Sequence, residues 1–87
     1  MKLPKADLRR SSLVDQAIAA VKRAIADGSL NSGDRLVQAQ LAASLGLGTP
    51  IVREALIQLV NQGFLTRIPR KGTFVTNLTE EQIVEVY

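Results

Sequence analysis

Residues 41–63 read L-A-A-S-L-G-L-G-T-P-I-V-R-E-A-L-I-Q-L-V-N-Q-G, and their apolar spacing predicts two helices joined by a tight turn. The first helix places Leu41, Ala42 and Leu45 on one face. The second helix ends at Gly63, and its inward stripe consists of Val52, Ala55, Leu56, Leu59 and Val60. Two helices separated by a glycine-containing turn of about three residues are the signature of a helix-turn-helix.

The turn between these helices has residues suited to ending one helix and starting the next. Gly46 can adopt the left-handed conformation that ends a helix, and Gly48 adds backbone freedom two residues later. Thr49 is expected to cap the second helix, with Pro50 in the first helical position, where a missing N–H does no harm. We therefore expect the second helix to be a DNA-recognition element that the rest of the chain supports.

A supporting helix is predicted upstream of this unit. Its apolar stripe consists of Val14, Ala17, Ile18, Val21 and Ile25. Ser12 is expected to cap this helix, with Asp15 completing a variant of the capping box, and Gly28 is expected to end it. Residues 1–10 lack a sustained period and contain four basic residues, which predicts a flexible basic arm. The arm either follows DNA phosphates or is only solvated.

After Gly63 the pattern becomes typical of strands. Residues 64–68 and 73–76 are β-prone, and Pro-Arg-Lys-Gly at 69–72 separates them, which predicts a hairpin with a basic tip. Residues 35–37 suit a short strand before the first helix of the helix-turn-helix. The predicted fold is therefore mainly α with a small β-hairpin, a winged helix-turn-helix.

The composition is that of one small domain. With 87 residues, of which 46% are apolar, the chain can form a compact aliphatic core. The absence of cysteine and histidine excludes disulfides, the usual zinc sites and a histidine-based catalytic triad. No apolar run is long enough to span a bilayer, and the N-terminus lacks a signal-peptide core. We expect a cytoplasmic protein without a membrane segment or a cofactor.

The charges are unevenly distributed along the chain. All 11 Lys and Arg and five acids lie in residues 1–78, whereas residues 79–87 contain three acids and no base. The basic part suits a polyanion such as DNA. Thr-Glu-Glu-Gln at 79–82 forms a capping box, which predicts a further helix leading to another domain. The expected divisions are an arm at 1–10, a winged helix-turn-helix at 11–77, and a linker with the start of a helix at 78–87.

Five motifs occur in a fixed order: I-A-D-G-S-L-N-S-G-D-R-L (25–36), L-A-A-S-L-G-L (41–47), V-R-E-A-L (52–56), L-V-N-Q-G-F-L (59–65) and R-K-G-T-F-V (70–75). Together they resemble the winged helix-turn-helix DNA-binding domain of the GntR family of bacterial transcription regulators. The ending at 77–87 is similar to the junction into the helical effector domain of the FadR/FCD subfamily. The resemblance implies a full-length homodimer that binds double-stranded operator DNA. It also implies release of that DNA when a small-molecule effector binds a C-terminal domain absent from this chain.

One stretch departs from the family pattern. The family usually has Ser-Arg where this sequence has Gly48 and Thr49. The missing arginine removes a bidentate guanine contact worth about 1–3 kcal/mol of discrimination. We therefore predict either an operator that differs from the family's usual one or weaker binding. Thr49, Pro50 and Ile51 offer a hydroxyl and apolar contacts to thymine methyl groups instead.

The candidate DNA contacts fall into three groups. They are Thr49, Pro50, Ile51, Arg53 and Gln58 on the second helix, Arg35 in the short strand with Gln38 at the start of the first helix, and Arg67, Arg70, Lys71 and Gly72 in the wing. The helix would enter the major groove with its N-terminal end first, which makes Arg53 the foremost candidate for a base or phosphate contact. The wing would lie on phosphates or in a minor groove, with Gly72 allowing close approach to DNA. The pattern leaves open whether Ile57 contacts DNA or packs under the wing.

Two other classes of function compete with DNA binding. A winged helix can serve as a protein–protein interaction module, whose binding would be insensitive to salt. An enzyme is not expected, because the sequence contains no nucleophile–base pair, metal cluster or phosphate-binding loop. Gly-Leu-Gly at 46–48 joins two helices and does not follow a strand, so it is not a dinucleotide-binding fingerprint.

Overall fold

The computed structural model describes the backbone of residues 5–76 and the side chains of residues 9–76. In chain order the elements are α1 (Lys5–Ala26), β1 (Arg35–Leu36), α2 (Gln38–Leu45), α3 (Thr49–Asn61), β2 (Leu65–Ile68) and β3 (Gly72–Val75). Helices α2 and α3 form the helix-turn-helix, and the hairpin of β2 and β3 forms the wing. The predicted fold class is confirmed. The helix predicted from the capping box at 79–82 lies outside the described residues.

Helix α1 begins at Lys5, so the prediction that Ser12 caps it is wrong. The sequence K-A-D-L-R-R-S at 5–11 contains no glycine or proline and is rich in good helix formers. A helix held by the buried stripe further along can therefore extend backwards through these residues at little cost. Residues 5–10 of the predicted flexible arm are helical, and residues 1–4 of that arm lie outside the described residues.

The core lies between α1 and α3. Its buried side chains are Val14, Ala17, Ile18 and Val21 of α1, Val52, Ala55, Leu56 and Leu59 of α3, and Leu36, Ala42, Leu65 and Val75 of the other elements. Val52 and Leu59 are fully buried. The predicted stripes of α1 and α3 are confirmed, although Ile25 and Val60 at the margins are only partly buried. On the predicted face of α2, Ala42 is buried and Leu41 and Leu45 are partly buried. Because α3 is held along its whole inner face, its outer face is presented as a rigid surface.

The wing belongs to a three-stranded antiparallel sheet with strand order β1-β3-β2. In β1, Arg35 lies opposite Phe74 and Leu36 lies opposite Thr73. Hydrogen bonds from the Gly33 N–H to the Val75 carbonyl and from the Val75 N–H to the Asp34 carbonyl extend this pairing. The sequence predicted a two-stranded hairpin and a separate strand, so the sheet is larger than expected.

The turn before β1 is closed by local hydrogen bonds. The Ser29 N–H donates to Oδ1 of Asp27 at 2.8 Å, and the Asn31 N–H donates to Oδ2 of Asp34 at 2.8 Å. The side-chain and backbone hydrogen bonds from Ser29 lower the pKa of Asp27. This turn directs the chain from the end of α1 to the edge of β3, and so places Arg35 beside the wing.

The turn between α2 and α3 differs in part from the prediction. Gly46 has φ +68° and ends α2, as expected for a left-handed cap. Gly48 instead has φ −67° and ψ 149°, an extended conformation that any residue can adopt. Its carbonyl accepts a hydrogen bond from the Val52 N–H at 3.2 Å. Gly48 is therefore the cap, Thr49 is the first helical residue, and the prediction that Thr49 caps α3 is wrong.

Candidate nucleic-acid interface

Helix α3 exposes one face opposite its core stripe. Thr49, Arg53, Ile57 and Asn61 follow one another at intervals of four residues, and each is exposed, as is Pro50. Among the described side chains, Arg53 forms no salt bridge. Its guanidinium is therefore available to a ligand. Ile51 is partly buried against the core, so only part of its side chain is accessible.

A groove of about 170 Å³ separates this face from the wing. Its polar lining includes Gln38 of α2, Arg53 of α3 and Arg67 of β2. Ile57 also lines the groove and remains 50% exposed. The sequence left open whether Ile57 contacts DNA or packs under the wing. Ile57 lies at the edge between α3 and the wing, and half of its surface is free for contact.

A second groove of about 410 Å³ brings the remaining predicted residues together, and we call it the basic groove. Its lining includes Arg35, Gln38, Arg67, Arg70, Lys71 and Gly72. None of the described residues that line it is acidic. Four cations from β1 and the wing are therefore concentrated at one place, which attracts phosphate groups.

The wing tip has an unusual backbone. The Lys71 N–H donates to the Ile68 carbonyl at 3.0 Å, which closes a turn with Pro69 and Arg70 at its centre. Arg70 has φ +68°, whereas the second central position of such a turn normally holds glycine or asparagine. Arg70 and Lys71 are both exposed. The tip thus presents two adjacent cations to solvent.

Gln58 lies apart from the other candidates. It lines a small cavity of about 70 Å³ with Ser11 and Asp15 of α1 and Glu54 of α3. It therefore faces α1 rather than the wing. Next to it, Nε of Arg10 donates to Oε2 of Glu54 at 3.3 Å. This ion pair was missed by sequence reasoning, because its partners are 44 residues apart and share no local pattern.

The geometry is that of a DNA-binding surface. A rigid helix carries, at its exposed N-terminal half, one arginine that forms no salt bridge with the described residues, and a basic wing lies beside it. Within residues 5–76, no helix is both long enough and apolar enough to cross a membrane.

Comparison with known proteins agrees with this geometry. The family model described as bacterial regulatory proteins, gntR family, matches residues 13–75. The chain is 34% identical over 67 residues to the uncharacterized HTH-type transcriptional regulator YdhC of Bacillus subtilis, covering 77% of this chain and 30% of the relative. It is also 32% identical over 79 residues to the HTH-type transcriptional regulator McbR of Escherichia coli, covering 91% of this chain and 36% of the relative.

Solved structures show the same fold. The structure of E. coli McbR superposes with a TM-score of 0.73 at 32% identity, covering 85% of this chain and 35% of that chain. A GntR regulator from Rhodococcus sp. RHA1 superposes with a TM-score of 0.80 at 30% identity, covering 87% of this chain and 37% of that chain. The chain thus spans about a third of the length of the relatives it matches.

The family and these relatives are transcription regulators rather than enzymes. The chain belongs to the GntR family of bacterial regulatory proteins and is its winged helix-turn-helix DNA-binding domain.

Proposed function

We propose that this domain binds operator DNA with the N-terminal half of α3 in the major groove and the wing on the adjacent minor groove or backbone. The observation that carries the proposal is the placement of Arg53 and the basic groove on the same side of the molecule, joined by the groove that Gln38 and Arg67 line. Phosphate contacts position a protein on DNA, whereas base contacts specify the sequence. The basic groove is suited to phosphate contacts, and the N-terminal half of α3 with Arg53 is suited to base contacts.

Helix α3 supplies sequence recognition through few contacts. Arg53 is its only cation, and an arginine that contacts a guanine with two hydrogen bonds contributes about 1–3 kcal/mol of discrimination. Thr49 and Pro50 are exposed at the leading end and suit a hydroxyl contact and apolar contact with thymine methyl groups. The operator therefore differs from that of relatives with an arginine at position 49, or is bound more weakly.

The basic groove supplies affinity. Each phosphate that the protein neutralises contributes about 0.9 to the slope of log K against log salt concentration. Full engagement of Arg35, Arg67, Arg70 and Lys71 would therefore make binding strongly salt-dependent. A module that binds proteins through apolar contacts would lack this dependence.

We propose that the whole regulator acts in the cytoplasm as a homodimer, in which a C-terminal domain binds a small-molecule effector and thereby changes the affinity for operator DNA. The support is the length of the relatives, since the chain spans about a third of them. The FadR/FCD subfamily assignment is part of the same proposal.

The test is a selection of bound sequences from random duplex DNA, followed by salt titrations of the recovered site by fluorescence anisotropy. The wild-type domain is compared with Arg53→Ala and with Arg23→Ala. Arg23 is an exposed cation in the last turn of α1 that lines neither groove, so it controls for the loss of one charge.

We expect Arg53→Ala to lose about 1–3 kcal/mol of discrimination between the recovered site and a scrambled duplex, and Arg23→Ala to retain it. Equal weakening of both duplexes would make Arg53 a phosphate contact and leave base recognition to other residues. If the wild-type domain does not bind DNA at low salt, operator recognition is wrong and the protein-interaction module becomes the favoured function.

A further inference from the structure

The side chain of Arg35 lies directly over Gly72. A Cβ atom at position 72 would be 3.0 Å from Nε, 3.6 Å from Nη2 and 3.7 Å from Cζ of Arg35. The sheet register explains this contact. Arg35 pairs with Phe74 in the neighbouring strand, and Gly72 is the diagonal neighbour on the same face. A Cβ at position 72 would contact the guanidinium more closely than is usual, so the side chain of Arg35 would have to shift by a few tenths of an ångström.

The charges around Arg35 leave its guanidinium available to an anionic ligand. Among the described side chains it forms no salt bridge. The carboxylate of the adjacent Asp34 accepts a hydrogen bond from the Asn31 N–H at 2.8 Å, on the side of the preceding turn. Arg35 also lines the basic groove with Arg70 and Lys71 of the wing tip. Its donors are therefore unpaired within the described residues and close to two other cations.

We propose that Gly72 is a positioning residue that seats Arg35 beside the wing, and that Arg35 contacts a phosphate of the bound DNA. This inference rests on the proposed function and gives Gly72 a different role from the one expected from sequence. Gly72 does not approach the DNA itself. It leaves room for a cation from β1 to join those of the wing, which makes the basic groove a site built from two separate parts of the chain.

The experiment is a double-mutant cycle of Arg35→Ala and Gly72→Ala, read out as affinity and salt slope for one duplex between about 50 and 200 mM salt, where affinity that depends on phosphate contacts falls steeply. Gly72 has φ +123°, so alanine is strained there whatever the space. That strain is the same whether position 35 holds arginine or alanine, so it cancels in the cycle.

We expect Arg35→Ala to bind about tenfold more weakly, as for loss of one charge-assisted contact, and to lower the salt slope by about 0.9. Gly72→Ala should weaken binding by less and keep most of the slope, because it displaces the guanidinium without removing its charge. Gly72→Ala should cost less affinity in the Arg35→Ala background than in the wild type, because no guanidinium is then left to displace. Arg35→Lys should recover most of the slope, because a point charge still neutralises a phosphate. Additive losses would overturn the inference, since Gly72 would then act independently of Arg35.

Two controls separate seating from backbone strain. Gly28 has φ +85° and its Cβ would meet no atom within 4 Å, so Gly28→Ala introduces strain without displacing a side chain. It should leave the salt slope unchanged. A D-alanine at position 72, introduced by chemical synthesis, favours positive φ and replaces the other hydrogen of Cα. This variant should bind DNA like the wild type. Weakened binding would show that the DNA approaches Gly72 on the side that the D-alanine methyl group occupies.

Failure of this inference is distinguishable from failure of the proposed function. If wild-type protein binds DNA and Arg35→Ala has the same salt slope, Arg35 contacts no phosphate and only this inference is wrong. If wild-type protein does not bind DNA, both are wrong. Should Gly72→Ala fail to fold, the D-alanine form and the slope of Arg35→Ala still decide the outcome.

Discussion

Arg70 occupies a backbone conformation that arginine rarely adopts. Its φ of +68° lies in the left-handed region, where a Cβ costs roughly 1–2 kcal/mol. Its side chain is exposed at the wing tip and lines the basic groove, and it forms no salt bridge with the described residues. The strain is therefore not compensated by an ion pair within this part of the chain, and a contact with DNA would offset it.

Replacing Arg70 by glycine should separate stability from binding. We expect Arg70→Gly to raise the free energy of unfolding by up to about 1 kcal/mol, because glycine adopts positive φ without a steric cost. The same variant should bind DNA more weakly and reduce the salt slope by about 0.9. Urea denaturation measures the first effect and anisotropy measures the second. A less stable Arg70→Gly variant would contradict the strain argument.

At the scale of the elements, α3 is a recognition helix with almost no charge. Arg53 and Glu54 are its only charged residues, and Glu54 is adjacent to the arginine expected to contact DNA. Arg10 of α1 pairs with Glu54 at 3.3 Å. Both side chains are about half exposed, so the pair contributes little to stability. Its effect on the field near Arg53 matters more, because it partly neutralises a carboxylate that would repel phosphates.

We predict that Arg10→Gln weakens DNA binding and that Glu54→Gln strengthens it at low salt, each by a few-fold. Both should change the free energy of unfolding by less than about 0.5 kcal/mol, as is usual for exposed ion pairs. The double variant should bind between the two single variants, since it removes one charge of each sign. Weaker binding by Glu54→Gln would instead indicate that the ion pair is needed to orient α3.

At the scale of the whole molecule, one small aliphatic core supports the entire DNA-binding surface. Leu59 is fully buried in α3, two residues after the half-exposed Ile57. The core reaches from α1 through α3 to Leu65 and Val75 in the sheet. A loss of packing at Leu59 would therefore affect the helix and the wing together. A chain of 87 residues has little stability in reserve.

Leu59→Ala should lower the free energy of unfolding by about 2–5 kcal/mol, because it leaves a cavity in a fully buried position. Ile57→Ala, on the outer face of the same helix, should cost less than about 1 kcal/mol, since half of its side chain is already exposed. Chemical denaturation of both variants gives the comparison. Equal losses would show that Ile57 packs under the wing as part of the core. A loss of DNA binding with stability retained would show that Ile57 contacts DNA.

The same core explains which parts of the fold could be predicted. The stripes of α1 and α3 follow from a period near 3.6 residues, and Gly46 follows from the conformation that ends a helix. The start of α1 could not be located from a cap motif, because Ser12 and Asp15 are compatible with a helix interior once the downstream stripe is anchored. The cap of α3 could not be located from residue type either. Thr49 suits a cap, but the first helical hydrogen bond is accepted by the carbonyl of Gly48, which makes Gly48 the cap.

The candidate site divides in a similar way. Arg53, the wing residues and Arg35 could be singled out from local pattern and charge, but their grouping could not. Arg35 is 37 residues from Gly72 in the chain, and the β1–β3 pairing alone places its side chain over that glycine. Gln58 was also singled out from the sequence, but it lies apart from the other candidates. Its position one turn beyond Glu54 does not reveal that it faces α1.

The sequence by itself determined the helix-turn-helix, the hairpin and the family, because each depends on residues close together in the chain. The apolar periodicity, the glycines in left-handed conformations and the turn-forming residues each span only a few residues, so they can be recognised in the sequence. Tertiary structure decided the pairing of β1 with β3, the basic groove and the Arg10–Glu54 pair. Each of these joins residues more than 30 positions apart, and their meeting depends on how the elements pack around the shared core.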